Sequence, residues 1–153
     1  MNYWLMKSEP DVFGIDDLKK VKKEFWDGVR NYQARNFMRD DMKKGDKILF
    51  YHSSCKVPGI AGMATVSKEC VPDVTSWNKK SKYYDEKSSE ENPRWFMVQV
   101  KFEEKFKEVI SLSELKNYKE LKEMKLLQKG SRLSIMPVSK KEFDFILRLS
   151  KSQ

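Results

Sequence analysis

The feature that most constrains this fold is the alternation across residues 94–102, which puts Phe96, Val98, Val100 and Phe102 on one face of an extended chain. A period of two over that length predicts a strand buried on one side, and such a strand needs partners. The chain offers several. Residues 47–53 predict a strand with Ile48 and Phe50 on one side and Leu49 and Tyr51 on the other. After Val57-Pro58-Gly59, residues 60–70 predict another, in which the small residues Ala61, Gly62 and Ala64 leave room for something to approach the backbone closely. Residues 3–7 form a short apolar run ended by a Ser8-Glu9-Pro10 turn, and 132–136 form a short strand broken by Pro137.

Helical spacing appears between these runs. Ile15, Leu18 and Val21 recur among charges over 15–23. Ser111-x-x-Glu114 reads as a capping box opening a helical stretch that carries Leu112, Leu115, Leu121, Met124 and Leu127. Ser139-x-x-Glu142 opens a last helix with Phe143, Ile146, Leu147 and Leu149 on its buried stripe. Strands and helices mix without regular βαβ alternation. The expectation is therefore one α+β domain over 1–153, built on a curved, largely antiparallel sheet that closes into a small barrel. Segment 72–93 stands apart: two prolines and a polar run predict a long irregular excursion, and Trp77, Tyr83 and Tyr84 within it suggest that it folds back onto the domain.

Composition narrows the function classes. With 31 Lys and Arg against 23 Asp and Glu, the net charge of +8 favours an anionic partner, nucleic acid first among them, although lysines spread through a chain also make an ordinary solvated surface. The two cysteines, Cys55 and Cys70, suggest a reducing compartment. His52-x-x-Cys55 with Cys70 lacks the fourth ligand and the paired spacing of a zinc site, so no metal and no cofactor is expected. The segment Tyr3-Trp4-Leu5-Met6 follows no basic region and opens no long apolar run, so the expectation is a soluble, intracellular protein without membrane contact. Phosphate-cradling, nucleophile-elbow and HExxH motifs are absent. An enzyme would have to be built on His52, the sole histidine, with Asp27, Glu9 or Asp85 as partner.

The segment Trp26-Asp27-Gly28-Val29-Arg30-Asn31-Tyr32-Gln33-Ala34-Arg35-Asn36 concentrates aromatic surface, fixed positive charge and amides. Those are the groups that hold a nucleobase beside its phosphate. Part of the segment has a plainer use: Val29, Ala34 and Phe37 suit packing, and Asn31 suits the cap of a helix over about 32–39. Trp4, Trp26, Tyr51 and Trp95 form a second group, one from each of four elements, able to make either core or a stacking slot. The polar residues beside them (Lys7-Ser8-Glu9, Asp27, His52-Ser53-Ser54 and Arg94) make a slot worth considering.

These segments give the chain a resemblance to the EVE-domain family of the PUA-like superfamily. It is carried by Tyr3 to Pro10, Trp26 to Asn36, Phe50-Tyr51-His52-Ser53, Pro58-Gly59-Ile60-Ala61-Gly62, Tyr83-Tyr84-Asp85, Asn92-Pro93-Arg94-Trp95 and Arg132-Leu133-Ser134, in order along nearly the whole chain. Ser54 stands where the family often has Asn, Met136 where Gln is frequent, and Asn78 where acidic residues are common. The resemblance implies a mixed sheet curled into a pseudo-barrel with surrounding helices. It also implies a non-enzymatic reader of a modified base in DNA or RNA, such as methylated or hydroxymethylated cytosine, with the base flipped into an aromatic pocket. In that reading Trp26 and Trp95 are stacking walls, Ser8, Asn31 and Ser53 read the base edge, and Tyr51 and Ser134 complete the pocket. Lys7, Arg30 and Arg35 hold phosphate, and the protein acts as a monomer.

Overall fold

The computed structural model describes residues 1–130 and 132–153. Six strands form one sheet: β1 (Tyr3–Ser8), β2 (Lys23–Phe25), β3 (Lys47–His52), β4 (Gly59–Pro72), β5 (Phe96–Ser111) and β6 (Ile135–Val138). They lie in the order β2-β5-β4-β3-β1-β6, with β1 and β3 parallel and every other pair antiparallel. The sheet is mixed and curved but stays open, because β2 and β6 end the order without pairing to each other. Closure into a barrel does not occur.

Both faces of the sheet are buried. Ile48 and Phe50 join Trp4, Met6, Ile15, Leu18 and Trp26 in one core, whereas Leu49 and Tyr51 join Leu5, Phe106, Leu115, Phe143 and Ile146 in the other. The alternation of 47–51 thus assigns residues to two cores on opposite faces. α1 (Pro10–Phe13), α2 (Ile15–Val21) and α3 (Tyr32–Asn36) cover the first face; α4 (Leu112–Leu115) and α5 (Lys140–Lys151) cover the second.

Four register shifts interrupt the β4–β5 ladder, at Ile60/Gly62, Met63/Ala64, Val66/Lys68 and Lys68/Val71. Bulges add twist and bend the paired strands. They also hide the length of β5 from a simple alternation pattern, since the strand runs on from Phe102 to Ser111 with only Phe106 and Ile110 fully buried in that half. The partner that approaches the small residues of β4 is this strand. A Cβ at Gly59 would collide with the Ile110 carbonyl oxygen, and one at Gly62 with that of Glu104.

Three segments differ from their sequence pattern. The stretch after Ser111 is not one helix: Ser111 caps a single turn by accepting from the Glu114 amide, and two further turns at Lys119–Leu121 and Lys125–Leu127 bury Leu121, Met124 and Leu126. Separate turns satisfy the same apolar spacing. The helix from 32 changes pitch, with a wide turn over Phe37–Asp41 closed by the Met42 amide on the Phe37 carbonyl. Pro137 sits inside β6 because that strand forms the edge of the sheet, where a missing N–H costs no ladder bond. At the end of the chain, Ser139 and Glu142 form the reciprocal cap of α5.

Candidate functional site

A cavity of about 530 Å³ opens at the ends of β1 and β2. Its walls come from three stretches distant in sequence: Lys7 to Phe13, Glu24 to Arg30, and Lys82–Tyr83, with Ser134 closing one side. β1 delivers Lys7 and Ser8 from the edge of the parallel pair, where Ser8 lies opposite His52. Ser8 is fixed in place. Its hydroxyl donates to the Phe13 carbonyl at 2.6 Å, and its carbonyl accepts from the Ser53 amide at 3.0 Å. Ser134 is held through its carbonyl, which accepts the Lys7 amide.

Trp26 follows β2 directly, and its amide donates to the Val98 carbonyl of β5. Its ring meets Phe13 and Phe50 edge-on, at centroid separations of 6.4 and 5.6 Å. It is only 9% exposed, so it is a core residue with a small part of its surface on the cavity. Gly28 follows at φ +77°, with the Tyr83 ring so close that a Cβ would lie 2.6 Å from it. Glycine is needed there for both its backbone angle and its lack of side chain.

The 72–93 excursion does fold back, and Asp73 anchors it. This fully buried carboxylate accepts from the Gly28 amide, the Arg30 guanidinium, and both the amide and hydroxyl of Thr75. Arg30 also donates to the carbonyls of Val29 and Tyr83 and to the Thr75 hydroxyl. A guanidinium has five N–H groups, and Arg30 engages partners with all three nitrogens inside the chain. The geometry makes Arg30 a clamp between the Trp26 segment and the excursion, with its donors turned inward and away from an external phosphate.

The other sequence candidates fall in different places. Lys7, Ser8, Trp26, Arg30 and Ser134 line the cavity; Asn31, Tyr51, Ser53, Trp95 and Arg35 are not among its lining residues. Asn31 caps α3 through its side-chain oxygen on the Ala34 amide. Tyr51 is buried in the second core, on the face opposite Trp26. Ser53 contributes its backbone to Ser8. Trp95 stacks on Tyr32 at 4.7 Å, donates to Asp85 at 2.7 Å, and lines a separate depression with Arg30, Tyr84, Asp85 and Glu86. Arg35 lies 4.7 Å over the Tyr32 ring and bonds to Asn36 and the Arg94 carbonyl. Trp4, Trp26, Tyr51 and Trp95 therefore do not form one slot: the sheet divides the first three between two cores, and Trp95 bonds to Asp85 of the excursion.

Sequence reasoning missed Phe13, Phe25 and Tyr83 as walls of the cavity and named Asp27 only as a polar neighbour of the slot or a partner for His52. The one available signal was Tyr83, an aromatic residue inside a polar loop. Burial lowers the pKa of Lys7, whose ammonium also lies 5.8 Å over the Tyr51 ring. Partial burial, reinforced by the Asp73 charge, raises the pKa of Asp27. His52 is outside the cavity lining; its Nε2 accepts the Ile15 amide at 3.0 Å, and burial lowers its pKa. Among the described residues, no group of three or more His, Cys, Asp or Glu side chains is placed to hold a metal ion, and no helix is long and apolar enough to cross a membrane.

The family model described as the EVE domain matches residues 2–149. The chain belongs to the EVE domain family. This EVE domain is 46% identical to human thymocyte nuclear protein 1 over 99% of its own length and 75% of that protein's. It superposes on a Leishmania major protein at TM-score 0.95 and 50% identity, covering 100% of this chain and 96% of that one. It superposes nearly as closely on the human THYN1 protein crystallised with 5-methylcytosine-containing DNA, at TM-score 0.93 and 46% identity, covering 100% and 99% of the two chains. Two family departures now have physical context. Ser54 adopts φ +53°, the left-handed conformation that Asn tolerates better than Ser. Met136 is fully buried in the second core, away from the cavity.

Proposed function

We propose that this EVE domain binds DNA as a single chain, without catalysis, and reads one modified base turned out of the duplex into the cavity beside Trp26. The observation that carries this reading is the make-up of that cavity. Its aromatic side chains (Phe13, Phe25, Trp26 and Tyr83) stand among hydroxyls (Ser8 and Ser134), cations (Lys7 and Lys82) and carboxyls (Glu9, Glu24 and Asp27), in a volume typical of small-ligand sites. A base is flat, aromatic and polar at its rim, so it matches both features. The 5-methylcytosine DNA bound by the human relative supports the choice of DNA and of a cytosine modified at C5.

The energetics are compatible. Turning a base out costs a few kcal/mol, while stacking returns about 1–3 kcal/mol per base and edge hydrogen bonds add to it. A methyl group contributes at most about 1–3 kcal/mol, so discrimination against unmodified cytosine is modest. In this reading the exposed part of Trp26 makes aromatic contact with the base, Ser8 and Ser134 contact the base, and Lys7 sits near its phosphate or ring. The exposed Lys82 of the cavity wall would meet the backbone, whereas Arg35, outside the lining, has all three nitrogens bonded within the chain, as Arg30 does. Asn31, Ser53 and Arg30 act through the backbone they hold in place.

The enzymatic reading gains no support from the geometry of its central residue. The Nε2 of His52 already accepts a backbone amide, and a general base needs that lone pair.

Binding of a duplex with one 5-methylcytosine, measured by fluorescence anisotropy beside the unmodified duplex and one abasic at that position, tests the proposal. The expected order is methylated, then unmodified, then abasic. Equal affinity for the methylated and abasic duplexes would overturn it.

A further inference from the structure

Asp27 is an unexplained carboxyl group in the cavity wall. Its backbone is among the most firmly held in the site: the Trp26 amide bonds to Val98, the Asp27 amide to Phe25, and the Gly28 amide to Asp73. Its carboxyl, by contrast, bonds to no other described residue, and only its own backbone amide lies close enough to favour the charged form. Other aspartates of the region are occupied: Asp73 is saturated, and Asp85 takes the Trp95 indole and the Lys87 amide. Of the other carboxyls lining the cavity, Glu24 accepts its neighbour's amide, and Glu9 is exposed at the turn into α1. A negative charge left unmatched beside a polyanion weakens binding, so a group fixed there in a DNA site must meet something that compensates it.

We propose that Asp27 is the specificity-determining residue of this cavity, its carboxyl group reading the hydrogen-bonding edge of the flipped base. This rests on the proposal that a base enters the cavity, and it adds which edge is read and in which proton state. Cytosine presents an amino donor beside a ring-nitrogen acceptor. A carboxylate matches only the donor and repels the acceptor lone pair. A carboxylic acid matches both, accepting from the amino group through its carbonyl oxygen and donating its O–H to the ring nitrogen. The surroundings shift Asp27 toward the acid form. Asp27 is exposed, yet partial removal from water and the Asp73 charge raise its pKa, against its own backbone amide and the charges of Arg30 and Lys82. A base that fills the cavity excludes more water and pushes the same way. Lys7, Glu9 and Glu24 face the same space.

Binding of a cytosine-type base therefore takes up a proton at Asp27 and tightens as pH falls. Asp27→Asn carries the donor and the acceptor permanently, whereas Asp27→Ala carries neither. Affinities for the duplex with one 5-methylcytosine, compared between about pH 8 and about pH 5.5, test the assignment, with the abasic duplex as reference. In the native protein, the ratio of methylated to abasic affinity should rise as pH falls. In Asp27→Asn the ratio should be high and independent of pH. In Asp27→Ala it should be about tenfold lower than in Asp27→Asn, the low end of one base-edge recognition pair. A flat native profile, or Asp27→Ala matching the native protein while the methylated duplex still outcompetes the abasic one, overturns the role of Asp27 alone. Equal binding of methylated and abasic duplexes by the native protein overturns the cavity reading, and this inference with it.

Discussion

The buried carboxylate of Asp73 accepts the backbone amide of Gly28 at 2.8 Å, across 45 positions of sequence. This single bond, with the Arg30 contact at 3.2 Å on the same oxygen, joins the excursion to the segment that forms the cavity wall. Asp73 itself is fully buried, so water cannot take the place of these donors at its carboxylate.

Removing that carboxylate is thus expected to destabilise the fold and open the site together. Asp73→Ala leaves the Arg30 guanidinium and the Gly28 amide without their acceptor, a loss of about 3 kcal/mol, the lower end for a broken buried pair because Arg30 keeps some contact with solvent. Chemical denaturation reads the stability, and proteolysis within 72–93 reads the release of the excursion. An unchanged denaturation midpoint would show that Asp73 does not anchor this segment.

Gly28→Ala meets two obstacles, the φ of +77° and the Tyr83 ring. The backbone term alone is about 1 kcal/mol. Because the second obstacle is a side chain, Tyr83→Ala should relieve part of the penalty. A double-mutant cycle in thermal denaturation gives the coupling, and strict additivity of the two changes would contradict the contact.

Trp26 both packs the first core and lines the cavity. Trp26→Ala should cost about 3–5 kcal/mol by emptying that core, so lost binding in this variant would not by itself report on stacking. Trp26→Phe keeps an aromatic ring with less area. Its expected result is a small fall in Tm with a several-fold weaker affinity for the methylated duplex. Native affinity in a folded Trp26→Phe variant would remove Trp26 from the base-binding role.

His52 makes stability depend on pH. Its folded-state pKa lies below the usual histidine value, chiefly through burial. The folded protein therefore binds the proton less well than the unfolded chain, and the stability that neutral His52 contributes is present above about pH 6.5 and is lost as pH falls below it. The structural cause is direct: a protonated Nε2 cannot accept the Ile15 amide. Gln can accept that amide without titrating. The fall in Tm between about pH 7.5 and about pH 5.5 should accordingly be smaller in His52→Gln than in the native protein, and equal falls would show that His52 does not control it.

Residues 47–51 and 94–102 show what was legible in the sequence. A strand's period of two fixes which side chains share a face, so the division of Ile48 and Phe50 from Leu49 and Tyr51 between two cores follows from their order along the chain. The caps at Ser111, Ser139 and Asn31 were legible for a similar reason: a side chain that bonds three residues along its own chain is a local event. Residue types and their order also identified the family. The sequence alone could not decide whether the sheet closes, how far β5 runs through its bulges, or which aromatics share a site, because each depends on contacts between residues tens of positions apart. Trp26, Tyr51 and Trp95 look equivalent as aromatic residues beside polar ones, yet the sheet puts the first two on opposite faces and the excursion takes the third. Arg30 reads as a free cation in the sequence, whereas in the fold Asp73, Thr75 and the Tyr83 carbonyl occupy its donors. Only tertiary structure brings those partners within hydrogen-bonding distance, and so only it separates the residues that hold the cavity together from those that face into it.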